Sequence, residues 1–575
     1  MRYRWCEVPG YRIKRDTDGT PFVFVRAKGR ALLTNAMYNK GTAFTPEERR
    51  HFRLEGMLPS AVSSPESQLT RAYQYVKGKG QLLEQYYSLA GIQDRNETLF
   101  YRMVLEHLEE FAPVVYRPVA ALASQHFCHT FRLGRGLWIT PEHEGRVERV
   151  LGHTRYQDIR LIVVTDNERC CGLGDRGAGG ICVPIGKLVM YTVAAGIHPT
   201  QMLPVSLDVG TDSRELLDDP LYLGWRHRRL RGEQYDRLVE EFVTAVQKRF
   251  PRALLQWEDF GRRTALMLLD RYRDRLPSFS DDVQGTAAAA LAGILSYLHA
   301  SQAQLRDQRV LICGAGVAGI GLARLLRVAL ARAGLLGSEL TGAVAVLDSR
   351  GLLVKGRSGL REPKADQAWT PQQCERARLP RDAPAGLQAM VEAYQPTVLV
   401  GASGQAGLFS ERVVRALDAG CERPLVLLLS SPASRAEAQP KQIVRWTSGR
   451  ALVATWNPAT TVSHGDRTIR VSQGDSTLLV PAVALGALVA DASHVSDAML
   501  VVAAEALAST VPRSDVEQGE LYPPLGRLRS LTARMAVDVA LEAAASGAAA
   551  EVDEETLRNR VAEVWRPAYV DLRLG

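Results

Sequence analysis

Two acidic pairs stand out in this chain of 575 residues. Glu258-Asp259 ends the stretch Leu254-Leu255-Gln256-Trp257, and Asp281-Asp282 precedes Val283 and the run Ala287 to Ala292. The apolar residues before the first pair predict a buried strand end, and those after the second predict a packed helix. Carboxylates set against core cost free energy unless a positive charge sits between them. A divalent cation such as Mg²⁺ or Mn²⁺ suits the position, because it prefers a few hard carboxylate oxygens and leaves sites open for substrate and water. The competing reading is that Asp281-Asp282 merely caps a helix starting near Gln284. Two pairs, both flanked by core, favour the metal.

A second group of chemically capable residues lies upstream. Ile159–Thr165 reads as a buried strand running into Asp166-Asn167-Glu168-Arg169, then the glycine-rich Gly172 to Gly180, then Pro184-Ile185-Gly186-Lys187 opening a helix. A glycine-rich loop after a strand lets backbone approach a ligand closely. Lys187 in the first turn of that helix is either a surface lysine or part of a site, since active sites collect where strands end in α/β folds. Tyr116 lies between Val114-Val115 and Pro118, where a tyrosine is usually a packed aromatic with a satisfied hydroxyl.

The third group is a βαβ signature. Arg309-Val-Leu-Ile-Cys313 is a short strand, Gly314-Ala-Gly316-Val-Ala318-Gly319-Ile-Gly321 turns into a helix, and a strand over Ala343–Leu347 ends at Asp348. Glycines at these spacings permit a tight turn, backbone approach to a pyrophosphate and close helix–strand packing. Thr397–Gly401 and Pro424–Ser430 continue the same parallel sheet. Asp348 stands where an acid bonds an adenosine ribose, which favours NAD; Ser349, Arg350 and Lys364 could instead accommodate the 2′-phosphate of NADP.

The elements that must position these groups predict an α/β fold. A Rossmann-type doubly wound parallel sheet occupies 281–475, and a second α/β domain is built from 134–280 with 476–540. Helical regions cover 1–133 and 541–575. Thr45-Pro46-Glu47-Glu48 starts a helix, and helical periodicity runs through Gln68–Tyr87 and Glu97–Phe111. A strand is expected over Met202–Val209, and Ala-rich helices over Val495–Ser509, Leu528–Ala545 and Glu554–Trp565. Hydrophobic content of 46% and charge of 23% are those of a globular protein. The net charge of +8 is diluted over the chain, and the Arg-rich cluster Trp225–Arg231 is short. No basic stripe with interleaved aromatics suggests nucleic-acid binding; a small anionic ligand suits the mild positive bias. Eight cysteines without paired metal-ligand spacing predict reduced thiols and a cytoplasmic protein. The residues after Met1 lack a signal-peptide core, and the Leu-Ala runs break before spanning a membrane.

Motifs along nearly the whole chain resemble the malic enzyme family. They are Asn39-Lys-Gly-Thr-Ala-Phe-Thr-Pro-Glu-Glu-Arg49, Gly56-Met-Leu-Pro59, Val164-Thr-Asp-Asn-Glu-Arg169 and Gly172-Leu-Gly-Asp175. Leu207-Asp-Val-Gly-Thr211, Trp257-Glu-Asp-Phe260, Asp281-Asp-Val-Gln-Gly-Thr286, Gly351-Leu-Leu-Val-Lys-Gly-Arg357, Gly401-Ala-Ser-Gly-Gln405 and Leu521-Tyr-Pro-Pro524 follow in order. The resemblance implies oxidative decarboxylation of malate to pyruvate and CO₂ with a nicotinamide cofactor and Mg²⁺ or Mn²⁺. It also implies a homodimer or homotetramer, often with helical N-terminal contacts. By the same resemblance Glu258, Asp259 and Asp282 are metal ligands, Lys187 is the general base with Asp281 as its partner, and Tyr116 is the acid that protonates the enol carbon. Arg169 pairs with a substrate carboxylate. Arg71 and Arg95 match two arginines that bind fumarate in some animal mitochondrial members, with Ser63 in place of their acidic companion.

Departures from the family pattern cluster on the substrate side. Ser431, Asp475 and Ser476 stand where asparagines are usual, Thr264 stands for an Asn, and Ser280 precedes Asp281 in place of an Asn. Ser431 and Asp475 are therefore read as resetting the substrate pocket. Losing an amide donor there costs about ten- to a hundredfold in affinity, so a high Michaelis constant for malate is expected, improved by Ser431→Asn with Asp475→Asn. The alternatives are the same chemistry on another malate-like 2-hydroxy acid and a non-catalytic dinucleotide- or metabolite-binding regulator. Retention of the acid–base residues argues against the regulator.

Overall fold

A computed structural model describes residues 7–8, 11–17, 21–379 and 385–574. Met1 to Cys6, including the residues used above to judge a leader and one of the cysteines, lie outside them. The fold is mixed α/β with parallel sheets, and the chain divides into two compact units, Met1–Leu255 with Glu555–Gly575 and Gln256–Glu554. This differs from the four segments expected. Residues 134–255 group with the N-terminal helices, and 476–554 group with the dinucleotide-type sheet.

In the first unit the helix at Thr45 starts as read. Glu48 N–H donates to Thr45 Oγ1 (3.1 Å) and Thr45 N–H to Glu48 Oε2 (3.1 Å), a reciprocal cap. The expected helix Gln68–Tyr87 is two, Pro65–Lys77 and Leu82–Gln93, because Gly78 and Gly80 interrupt it. Glu97–Phe111 also divides, into Glu97–Glu106 and Leu108–Val115, where His107 leaves helical geometry and stacks on Tyr73 at 4.2 Å. The C-terminal tail is not wholly helical. Its last strand, Asp571–Leu574, pairs in parallel with Pro21–Val25 and buries Leu572 among Val23, Val25, Phe44 and Phe52. Nothing in the tail's composition marks this pairing, because the partner lies at the other end of the chain.

Met202–Leu207 pairs in parallel with both Leu137–Ile139 and Leu161–Thr165. Leu161–Thr165, two residues shorter than the Ile159–Thr165 expected, and Met202–Leu207 are buried throughout, as a parallel strand covered on both faces must be. Of the described residues, Gly177–Ala195 alone is long and apolar enough to cross a membrane, contrary to the expectation that every such run breaks early. It is 94% buried inside the protein, which is the environment of a core helix.

The second unit is built on an eight-stranded sheet. Its order is Gly351–Leu352, Val344–Asp348, Val310–Cys313, Val398–Gly401, Leu425–Leu428, Leu452–Thr455, Arg467–Gln473 and Thr460–His464. From Val344–Asp348 to Arg467–Gln473 all neighbours are parallel. Leu311, Leu399, Val426 and Val453 face one cluster with Met390, Val414 and Ile443 from helices. The alternate residues Ile312, Val400 and Leu427 are equally buried, so both faces are covered and the sheet is doubly wound. The chain steps from Val310–Cys313 to a neighbour on one side and then to Val398–Gly401 on the other, which creates a topological switch point.

Candidate active site

In the first unit, the helix Cys182–Ala195 is buried along nearly its whole length, and Lys187 sits in its second turn, with no solvent exposure. Lys187 is therefore no surface lysine. A side chain at Gly186 would meet Val115 O at 2.5 Å and Tyr116 Cα at 3.2 Å, so the helix lies directly on the Val115–Tyr116 backbone. That approach sets Lys187 Nζ 4.8 Å from the centre of the Tyr116 ring, which is itself buried. The ring face attracts the ammonium. The glycine-rich run is just as tightly held, since Cβ atoms at Gly179 and Gly180 would strike Ser124 O and Asn167 Oδ1.

Arg169 is half-buried on the turn after Leu161–Thr165. That turn is held by residues the sequence reading passed over. Asn167 takes a left-handed φ of 65° and its amide donates to Ser206 Oγ (2.9 Å). Arg229, buried, donates to Asp166 O (2.6 Å) and pairs with Asp175 (2.8 Å), while Tyr235 Oη donates to Asp166 Oδ2 (2.9 Å). Burial pushes the Asp166 carboxyl up to about 6, against the attraction of Arg229. Arg229 belongs to the Trp225–Arg231 cluster, so part of that basic stretch is internal bracing. Arg71 donates to Ser63 Oγ (3.3 Å) and Arg95 to Gly91 O (2.8 Å).

Leu254–Trp257 is a buried strand, as expected, and its end opens the second unit, where it delivers Glu258 and Asp259, which are 3% and 4% exposed. Gln256 donates to Glu258. Asp259 takes φ of 58°, and its N–H donates to Asp282 Oδ2 (2.8 Å), joining the two acidic pairs. The second pair lies on a single wide turn, Asp281–Gly285, ahead of the helix Thr286–Ser301. Ser280 is the cap, accepting from Val283 N–H (3.3 Å), and Gln284 Oε1 accepts from Ser280 N–H (3.1 Å). Capping thus falls to Ser280, which leaves the aspartates for other work. Ser476 Oγ donates to Asp281 Oδ2 (3.0 Å), whereas Asp475 Oδ1 is occupied locally, accepting from Thr477 N–H (2.8 Å) and Thr477 Oγ1 (2.7 Å). Ser431 precedes a cis proline and is half-buried.

The glycines of the βαβ turn divide by role. Cβ atoms at Gly314, Gly319 and Gly321 would strike Ala402 O, Gly314 O and Val283 O at 2.3, 1.8 and 2.2 Å, whereas one at Gly316 would meet nothing within 4 Å. The turn is packed everywhere except at Gly316, beside Ala318 and the N-terminus of the helix Val317–Arg332, where a pyrophosphate would sit. The residues present fit a dinucleotide. Asp348 ends its strand and bonds Arg357, Arg350 N–H (2.9 Å) and Lys364 (3.4 Å). Burial raises its carboxyl, but these bonds and charges outweigh it and hold it below the usual range. Arg357 was missed from the sequence, although it closes the Gly351 to Arg357 motif. The fit to a metal rests on donor chemistry. Glu258 and Asp259 are buried and Asp282 is half-buried, and all three carry hard oxygens, while among the described residues no group of three or more acidic, histidine or cysteine side chains is placed to hold a metal ion.

Residues 93–273 match the malic enzyme N-terminal domain, and residues 283–544 match the malic enzyme NAD binding domain. An NAD-dependent malic enzyme of Aliivibrio fischeri is 40% identical over 550 residues, covering 95% of this chain and 97% of its own. The chain belongs to the malic enzyme family. An NAD-dependent malic enzyme of Pseudomonas aeruginosa is 41% identical over 556 residues, at the same coverages of 95% and 97%. Among solved structures, the Entamoeba histolytica malic enzyme aligns with a TM-score of 0.54 at 20% identity, covering 89% of this chain and 91% of that one. The Pyrococcus horikoshii malic enzyme aligns with a TM-score of 0.51 at 21% identity, covering 79% and 88%. Both share its fold.

Proposed function

We propose that this malic enzyme family member oxidises and decarboxylates malate to pyruvate and CO₂ with NAD as hydride acceptor and Mg²⁺ or Mn²⁺ as metal. The observation that carries the reading is the fully buried Lys187 set against the buried Tyr116 ring, which brings together the two residue types an acid–base pair requires. Bound NAD would accept the hydride from C2, and a cation on Glu258, Asp259 and Asp282 would act as Lewis acid. Lys187 Nζ takes the C2 hydroxyl proton and Tyr116 Oη delivers a proton to C3 after CO₂ leaves, and the family resemblance gives Asp281 the role of catalytic carboxylate. Arg169 holds a substrate carboxylate by a charge-assisted bond. Ser431, Asp475 and Ser476 support a second reading, the same chemistry on another malate-like 2-hydroxy acid. The seven described cysteines are all free thiols, which supports a cytoplasmic setting, and exposed Leu122, Phe131 and Leu133 support a homodimer or homotetramer. The test is reduced-nicotinamide formation with Mn²⁺, NAD and a panel of 2-hydroxy acids. Turnover of malate with stoichiometric pyruvate supports the first reading; no turnover of any acid refutes both.

A further inference from the structure

Glu437 has no solvent exposure, and no motif in the sequence drew attention to it. Its Oε1 accepts four hydrogen bonds: from Ser403 N–H (2.7 Å), Ser403 Oγ (2.7 Å), Gly404 N–H (3.1 Å) and Ser430 Oγ (2.7 Å). Its Oε2 has no hydrogen-bond partner and is sealed under Gly401, where a Cβ would come within 2.4 Å of it. A carboxylate taken wholly out of water is costly, and this one is retained by converging two backbone N–H groups and two hydroxyls on one atom. Those donors belong to the loops that leave the adjacent parallel strands Val398–Gly401 and Leu425–Leu428. The first of these loops abuts the glycine-rich turn, since a Cβ at Gly314 would meet Ala402 O at 2.3 Å and Ser403 N at 2.7 Å. Ligands of doubly wound sheets bind outside the carboxyl ends of the strands at this switch point. Residues 402–404 therefore form the wall of the crevice opposite the open face at Gly316.

We propose that Glu437 is a positioning residue for the dinucleotide, holding the 402–404 wall in place through Oε1 without touching the cofactor. The inference rests on the NAD-binding reading above. The experiment measures NAD binding calorimetrically, and KM for NAD and malate separately, in the full-length parent and in Glu437→Ala, Glu437→Gln and Ser403→Ala. Loss of an anchored, charge-assisted acceptor is expected to weaken NAD about tenfold or more in Glu437→Ala, with the malate KM changing less than about twofold. Glu437→Gln keeps an oxygen at the Oε1 position and should recover most of the affinity. A general loss of folding would not produce that split or that rescue. Should Glu437→Ala not fold, Ser403→Ala reads the same anchor and should raise the NAD KM severalfold. NAD affinity equal to the parent's in the folded variants overturns the inference alone. A parent that binds no NAD overturns the cofactor reading and this inference with it.

Discussion

Replacing Tyr116 separates its two possible roles, packed aromatic and proton donor. The ring is 4% exposed, rests under the Gly186 face of the buried helix, and presents its face to Lys187 Nζ at 4.8 Å. Phenylalanine keeps the ring, its packing and its attraction for the ammonium; it removes only the hydroxyl. Tyr116→Phe should therefore cost at most about 1 kcal/mol of stability, on the order of one hydrogen bond. Tyr116→Ala opens a cavity in the first unit and gives up the cation–π contact, at roughly 3–5 kcal/mol for the ring and about 0.5–2 kcal/mol for the contact. If the hydroxyl is the acid, Tyr116→Phe loses roughly 10²- to 10⁴-fold in turnover despite its intact fold. The assay is malate oxidation followed as reduced nicotinamide, with uptake of solvent deuterium into the methyl group of added pyruvate as a direct reading of proton delivery to C3. Melting curves of the three proteins control for folding. Turnover and deuterium uptake equal to the parent's in Tyr116→Phe would show that the tyrosine only packs.

Asp166, with its carboxyl raised from 3.8 to about 6, binds its proton more tightly folded than unfolded. Stability of the first unit should fall as pH rises from about 4 to about 6, by up to about 3 kcal/mol, and Asp166→Asn should flatten that part of the melting-temperature profile; an unchanged slope counts against it. Because Asp475 Oδ1 serves Thr477 as a cap, Asp475→Asn should be nearly neutral while Asp475→Ala loses about 1 kcal/mol. In that case any gain in malate KM from the double change with Ser431→Asn comes from Ser431, which the single variants resolve. NAD is expected to give a higher kcat/KM than NADP, and a clear NADP preference would reassign Asp348 and its three neighbours as a 2′-phosphate site.

Local signals sufficed where the chemistry is local. Glycine spacing at 314–321 announced the βαβ turn, apolar runs at 254–257 and 310–313 announced buried strands, and Thr45 with Glu48 announced a cap, because each depends on residues within a few positions. Only the tertiary structure decided which of the four glycines is open to a ligand, since that depends on Ala402 and Val283 far along the chain. It also decided that Ser476 reaches Asp281 across 195 positions, that Glu437 gathers donors from two loops, and that the last strand returns to pair with Pro21–Val25. A buried polar group reads on the page as an ordinary Glu or Ser. Its partners are chosen by which strand ends and turns the fold brings within hydrogen-bonding distance, and no local pattern encodes that choice.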